Sequence, residues 1–149
     1  NGKKIFWTHV IPFYQETLRN YFDVNENYQI VGCDITLDYM EMLDPEKPLE
    51  SLSRKMVKNI FNGPYENKVN YIENLVKELD VDAVINFCHW GCKQASGGNM
   101  LLKESMNKLN IPMLTLDGDA VDRRNSHDGQ IKTRLEAFLE LINEESELC

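Results

Sequence analysis

Four short apolar runs, separated by segments whose apolar residues recur every three or four positions, constrain this chain more than any other feature. Lys4 to Val10 (KIFWTHV), Tyr28 to Ile35 (YQIVGCDI), Ala83 to Phe87 (AVINF) and Pro112 to Leu116 (PMLTL) are nearly continuous, rich in β-branched or aromatic residues, and flanked by turn residues. Continuity rather than alternation is the mark of a strand covered on both faces. The helical stripes are Leu52, Met56, Val57 and Ile60; Val69, Ile72, Val76 and Leu79; Leu102, Met106 and Leu109; and Ile131, Leu135, Phe138, Leu139 and Ile142. Each gives a helix one core-facing side. Strands alternating with helices imply right-handed crossovers and a parallel sheet. The expected fold is a three-layer α/β domain, flavodoxin-like or Rossmann-like, with a parallel sheet of about four strands.

The 149 residues are the size of one domain with its own core, so residues 1–149 are expected to form a single unit. Asp44-Pro-Glu-Lys-Pro48 is expected to introduce a helix from Leu49, and Gly63-Pro64 to end it, because proline is tolerated at a helix start but not inside. A strand that opens directly after Asn1-Gly2 looks like the continuation of something longer. The acidic end, Glu144 to Cys149, reads as a fraying terminus.

Charge and cysteine content narrow the partners. The net charge is −8 and the 16 basic residues are dispersed, which argues against nucleic acid and anionic membrane. No apolar run approaches the roughly 20 residues of a membrane-spanning helix, and the N-terminus has no signal-peptide core. A soluble, cytoplasmic chain is expected, in which four cysteines are too few for a disulfide scaffold and stay mostly reduced.

In parallel α/β sheets, ligands bind outside the carboxyl ends of strands. Four loops are expected there: Thr8 to Pro12, Cys33 to Thr36, Cys88 to Asn99, and Asp117-Gly118-Asp119. The third belongs to the run NFCHWGCKQASGGN, Asn86 to Asn99, which holds Cys88 and Cys92 with three residues between them. Thioredoxin-type dithiols have two intervening residues, which weakens that reading. Zinc would take Cys88, His89 and Cys92, but a second Cys/His pair is not obvious elsewhere, which leaves a zinc site open and underdetermined. Iron–sulfur clusters need three or four thiolates, so this loop offers a partial set. Cys88, at a strand end, reads as a small packed residue. Cys92, in a glycine-flanked polar loop, reads as functional.

The remaining polar residues admit local roles. Ser96-Gly97-Gly98-Asn99 either cradles an anion or, more simply, caps the next helix through Ser96 or Asn99. Asp117 and Asp119 suit acid/base or metal work, but also ordinary turns. Arg123 and Arg124 either hold an anion or pair with nearby acids. His9 and His127 are expected to be hydrogen-bonded structural histidines. Trp7 and Trp90 are expected to pack, with Trp90 placed to shield a cofactor from water.

The run from His89 to Ile142, HWGCKQASGGNMLLKESMNKLNIPMLTLDGDAVDRRNSHDGQIKTRLEAFLELI, together with KKIFWTHVIPFY at Lys3 to Tyr14, closely resembles the C-terminal domain of 2-hydroxyacyl-CoA dehydratase subunits, a family that includes benzoyl-CoA reductase subunits. The specific parts are Gly91-Cys92-Lys93-Gln94; Asp117-Gly118-Asp119 with Asp122, Arg124 and Asn125; and Gly129-Gln130-Ile131 with Thr133 to Phe138. The resemblance implies a lyase of heterodimers, in which each subunit holds a 4Fe-4S cluster through three cysteines, one of them from this domain. Carried onto this sequence, that ligand is Cys92, with Cys88 the alternative. The resemblance further implies an acyl-CoA substrate, (R)-2-hydroxyacyl-CoA, dehydrated to the 2-enoyl-CoA through a ketyl radical after an ATP-dependent iron–sulfur activator supplies one electron. Such chemistry suits amino-acid fermentation in the cytoplasm of an anaerobe. The other cluster cysteines lie outside this chain: Cys33 is mid-strand and Cys149 terminal, so the chain alone is expected to be inactive. A contrasting expectation is a standalone flavodoxin-like module that binds acyl-CoA or a nucleotide through Ser96 to Asn99, without redox chemistry.

Overall fold

The computed structural model describes residues 2–36 and 42–147. Strands β1 (Lys3–Thr8), β2 (Tyr28–Cys33), β3 (Ala83–His89) and β4 (Met113–Gly118) form one parallel sheet in the order β2-β1-β3-β4. All four apolar runs are strands of the expected kind. In the two central strands, Ile5 to Thr8 and Ala83 to Cys88 are all buried. Their side chains alternate between two cores, as the pleat requires. Ile5, Trp7, Ile85 and Phe87 meet Leu18 of α1 (Glu16–Phe22) and Leu135 and Leu139 of α6 (Asp128–Glu147) on one face. Phe6 and Val84 meet Ile72 and Val76 of α3 (Tyr65–Glu78) and Leu102 and Met106 of α5 (Asn99–Lys108) on the other. Helix, sheet and helix thus make the three layers.

From β1 the chain crosses outward to β2, and from β3 it crosses the other way to β4. The crossovers therefore diverge at the seam between β1 and β3, and a crevice opens at their carboxyl ends. The short helix α4 (Lys93–Gly97) sits there, directly after the β3 turn.

Two elements depart from expectation. Helix α1 occupies the β1–β2 crossover although its seven residues bury only Thr17 and Leu18, too few to form a periodic stripe. Helix α2 (Pro48–Lys58) exists with proline in its first turn, but it buries none of its residues. Leu52, Met56 and Val57 were expected to face the core and are instead 45%, 62% and 75% exposed; only Ile60, beyond the helix, is buried. The physical reason is that α3 already covers this sheet face. Nor does Gly63-Pro64 end α2: the chain leaves helical geometry at Asn59 (ψ 133°), and Pro64 instead precedes the first turn of α3.

This difference is measurable by urea denaturation. Ile72→Ala should cost about 2–5 kcal/mol through lost packing and a cavity, whereas Val57→Ala should stay within about 0.5 kcal/mol. Equal losses would place α2 in the core.

Candidate functional site at the carboxyl edge

A buried polar ladder fixes the edge of the sheet. Thr8 Oγ1 donates to Asn86 Oδ1 across the β1–β3 seam (2.5 Å), and Asn86 Nδ2 donates to Asn99 Oδ1 (2.8 Å). Thr115 Oγ1 of β4 donates to the same oxygen (2.9 Å). Asn99, the first residue of α5, is thereby tied to two strands rather than to its own helix. The expected cap is not made: Gly98 is the N-cap residue and no side chain caps the helix. Ser96 Oγ instead donates to the Cys92 carbonyl (3.0 Å).

Beside the ladder lies an ion pair with almost no exposure to water. Asp34, just past β2, and Lys68, in the first turns of α3, are 0% and 1% exposed, with Oδ2 and Nζ 2.7 Å apart. The approach is that of opposite charges and not of a directed hydrogen bond. Asp34 Oδ1 accepts from the His9 backbone N–H (2.6 Å), which holds His9 in a left-handed conformation (φ 70°) that non-glycine residues seldom adopt. Burial, with Lys68 adding to it and Asp34 opposing, lowers the His9 pKa and favours the neutral imidazole.

Lys68 also orders the aromatic wall of the site. Its Nζ lies 5.0 Å from the Phe61 ring centroid and 5.5 Å from that of Tyr65, within cation–π range. Both residues reach the cysteine loop, Phe61 through its backbone and Tyr65 through its ring. Gln94 Nε2 donates to the Phe61 carbonyl (3.0 Å), and any Cβ at Gly98 would overlap the Tyr65 ring. Asp34, Lys68, Phe61 and Tyr65 thus form a continuous brace behind Cys92 and α4. The Tyr65 hydroxyl and His9 Nδ1 are buried without a hydrogen-bond partner among the described residues, an uncommon state for buried polar atoms. Burial raises the Tyr65 pKa, so its hydroxyl keeps its proton and remains a donor.

The cysteines separate into two kinds. Cys33 and Cys88 are 5% and 8% exposed, and burial pushes both thiols toward the protonated form. Cys88 Sγ is occupied, lying 3.7 Å from the Ala95 carbonyl and 3.4 Å from Asn86 Nδ2. Cys92 is half-buried, occupies the N-cap position of α4 and makes no cap hydrogen bond through its sulfur. The glycine before it gives close passage over the His89 ring, whose Nε2 lies 3.2 Å from where a Gly91 Cβ would stand. His89 Nδ1 accepts from the Ala120 N–H (3.1 Å) and lies 3.9 Å from Asp119 Oδ1. Among the described residues, no three Cys, His, Asp or Glu side chains form a metal-holding group. Cys149 lies outside the described residues.

The remaining sequence candidates serve the scaffold. Asp117 pairs with Arg134 (2.6 Å). Asp119 is brought down to about pKa 2 by the backbone N–H of Asp122, with Asn125 and Val121 adding to it, which is turn chemistry. Arg124 is held by Asp122 (2.6 Å) and Arg123 is exposed. The His127 carbonyl accepts from Gln130 N–H (3.1 Å) at the start of α6. Trp7 is fully buried, whereas Trp90 is 61% exposed. The glycine segment offers no open anion cradle, because Tyr65 fills the space over Gly98 and Asn99 is committed to the ladder.

Lys68, Tyr65 and Phe61 escaped the sequence reading. The available signal was Lys68 itself, which falls one turn before Ile72 on the buried face of α3 and so demands an anion. Removing it in Lys68→Met should cost about 3–5 kcal/mol in urea denaturation, because Asp34 would remain as an unpaired buried charge. The double variant Asp34→Leu with Lys68→Met should recover most of that loss; additive losses would mean that the two groups do not act as a pair.

Comparison with known proteins identifies the family of the chain. A sequence model of the family described as 2-hydroxyglutaryl-CoA dehydratase, D-component, matches residues 1–142. The lactoyl-CoA dehydratase subunit alpha of Anaerotignum propionicum is 24% identical over 98 residues, which are 65% of this chain and 23% of that protein. A benzoyl-CoA reductase subunit of Thauera aromatica is 24% identical over 102 residues, 68% of this chain and 24% of its own. The chain spans about a quarter of the length of these curated relatives. With the match extending from the first strand well into the last helix, the chain belongs to the 2-hydroxyglutaryl-CoA dehydratase D-component family.

Proposed function

We propose that this chain is the C-terminal part of a subunit of an iron–sulfur (R)-2-hydroxyacyl-CoA dehydratase, and that Cys92 is its ligand to a 4Fe-4S cluster. The observation that carries the reading is the contrast between the two loop cysteines. Cys92 is half-buried at the carboxyl edge and its side chain makes no cap hydrogen bond, whereas Cys88 is buried and its sulfur is taken up by its neighbours. A single thiolate fits one corner of a cluster and no more. The other thiolates come from outside these 149 residues. When bound, such a cluster supplies one-electron transfer and, at an iron without cysteine, Lewis acidity.

The chain's own residues support the site in three ways. The Asp34–Lys68 pair and its two aromatics fix the position of the Cys92 loop. Burial of His9 and Tyr65 keeps neutral groups behind it. The seam between β1 and β3 places the loop where α/β folds receive ligands. The reaction proposed is loss of water from (R)-2-hydroxyacyl-CoA to give the 2-enoyl-CoA, initiated by one electron from an ATP-hydrolysing activator and completed when that electron is returned. A second, different subunit and a cytoplasmic, oxygen-free setting belong to the same proposal.

The test is turnover in the assembled system. The full-length subunit, produced anaerobically with its partner and activator, should convert a (R)-2-hydroxyacyl-CoA to the enoyl product only with ATP. Cys92→Ala should abolish turnover, and Cys88→Ala should retain it within about tenfold. Full activity in Cys92→Ala would sink the assignment.

A further inference from the structure

The sequence predicts a hydrogen-bonded structural histidine at position 9, and the structure departs from that. The backbone of His9 is held on both sides: its N–H donates to Asp34 Oδ1 (2.6 Å) and its carbonyl accepts from the Cys33 thiol (3.5 Å). Its neighbours are fixed as well, Thr8 through Asn86, and Val10 through its carbonyl, which accepts from Trp7 Nε1 (3.3 Å). The imidazole, by contrast, makes no hydrogen bond among the described residues, although the residue is only 8% exposed. A left-handed backbone (φ 70°) locked by a buried carboxylate thus presents a ring that the scaffold does not use. Strain of this kind persists only where the surroundings enforce it, and it gathers at functional sites.

The two ring nitrogens are not equivalent. Nδ1 is buried with no partner, so a proton there would be a buried N–H without an acceptor. An orphaned acceptor is tolerated better than an orphaned N–H, which places the proton on Nε2, the nitrogen that keeps the ring's remaining exposure. Burial and Lys68 hold the ring uncharged against the opposing pull of Asp34, and His89 at the end of β3 adds to the effect. Thr8, the preceding residue, pairs with Asn86 across the β1–β3 seam, so His9 stands at the crevice that the cysteine loop also borders. The charges of Asp34 and Lys68 offset one another. An uncharged donor in such a balanced setting offers little to a phosphate or carboxylate, which calls for a cation. It suits an oxygen that is uncharged at rest and turns negative during reaction, because the donor is in place before the charge arrives. The carbonyl oxygen of a thioester that accepts an electron is such an atom.

We infer that His9 Nε2–H donates a hydrogen bond to the thioester oxygen of the acyl-CoA, and hence that this subunit is the one that receives the acyl group. The inference rests on the reading of this chain as part of a dehydratase subunit. The experiment uses the full-length subunit with its partner and activator, prepared anaerobically. His9→Ala should lower kcat about hundredfold. His9→Gln, whose amide N–H can stand where Nε2–H does, should recover to within about tenfold of wild type, whereas His9→Asn, whose amide reaches only the Nδ1 position, should not. A purely structural role predicts the reverse order, because asparagine accepts a positive φ most readily. Calorimetric titration supplies a readout apart from turnover: the preference for an (R)-2-hydroxyacyl-CoA over its thioether analogue, in which a methylene replaces the carbonyl, should shrink about tenfold in His9→Ala. Turnover in His9→Gln no better than in His9→Asn, or wild-type kcat and undiminished preference in His9→Ala, would overturn the role of His9 while leaving the dehydratase reading intact. Failure of the wild-type complex to bind and dehydrate the thioester would overturn both.

Discussion

The seam between β1 and β3 is the constraint on which the rest of the molecule depends. Both strands are buried on both faces, and their register sets Thr8 opposite Asn86. Neither polar side chain can reach water there, so each must find a partner within the protein. They find one another, and Asn86 carries the chain of hydrogen bonds on to Asn99 and, through it, to Thr115. A need imposed by burial thereby fixes the start of α5 and, through it, the far end of the cysteine loop. Because the crossovers diverge at the same seam, the loop stands over an opening rather than under a helix.

A second need, equally imposed by burial, steadies the near side of that loop. An ammonium in the protein interior is tolerable only beside a carboxylate, and a carboxylate only with its oxygens engaged. Asp34 meets both conditions through Lys68 and the His9 backbone. The pair contributes little net stability over an apolar substitute, but it fixes where α3 and the aromatics Phe61 and Tyr65 must sit. The Phe61 carbonyl meets the loop at Gln94 and the Tyr65 ring meets it at Gly98. Cys92 is held between the ladder and the brace, half-buried and without a side-chain cap hydrogen bond.

Much of this was legible in the sequence, for reasons that identify what was not. Continuous apolar runs such as AVINF mark strands buried on both faces, and the Val69-Ile72-Val76 stripe marks a helix facing them. The distinction between Cys88, ending a strand, and Cys92, inside a glycine-flanked loop, also follows from position. The stripe of α2 was visible, but periodicity reports that a helix has an apolar face and not what covers it. The capping roles expected of Ser96 and Asn99 failed because a tertiary hydrogen bond outcompeted the local one at Asn99. The contact of Tyr65 with Gly98 joins residues more than thirty positions apart, and no local pattern announces it.

The central claim is that one sulfur of this chain, Cys92, holds iron. Iron and acid-labile sulfide per protein, measured together with the visible absorption of the anaerobically purified two-subunit complex, address it without relying on turnover. The account predicts that Cys92→Ala loses the cluster assigned to this subunit and that Cys88→Ala keeps it. Retention of the full iron content and spectrum in Cys92→Ala, or their loss only in Cys88→Ala, would contradict it.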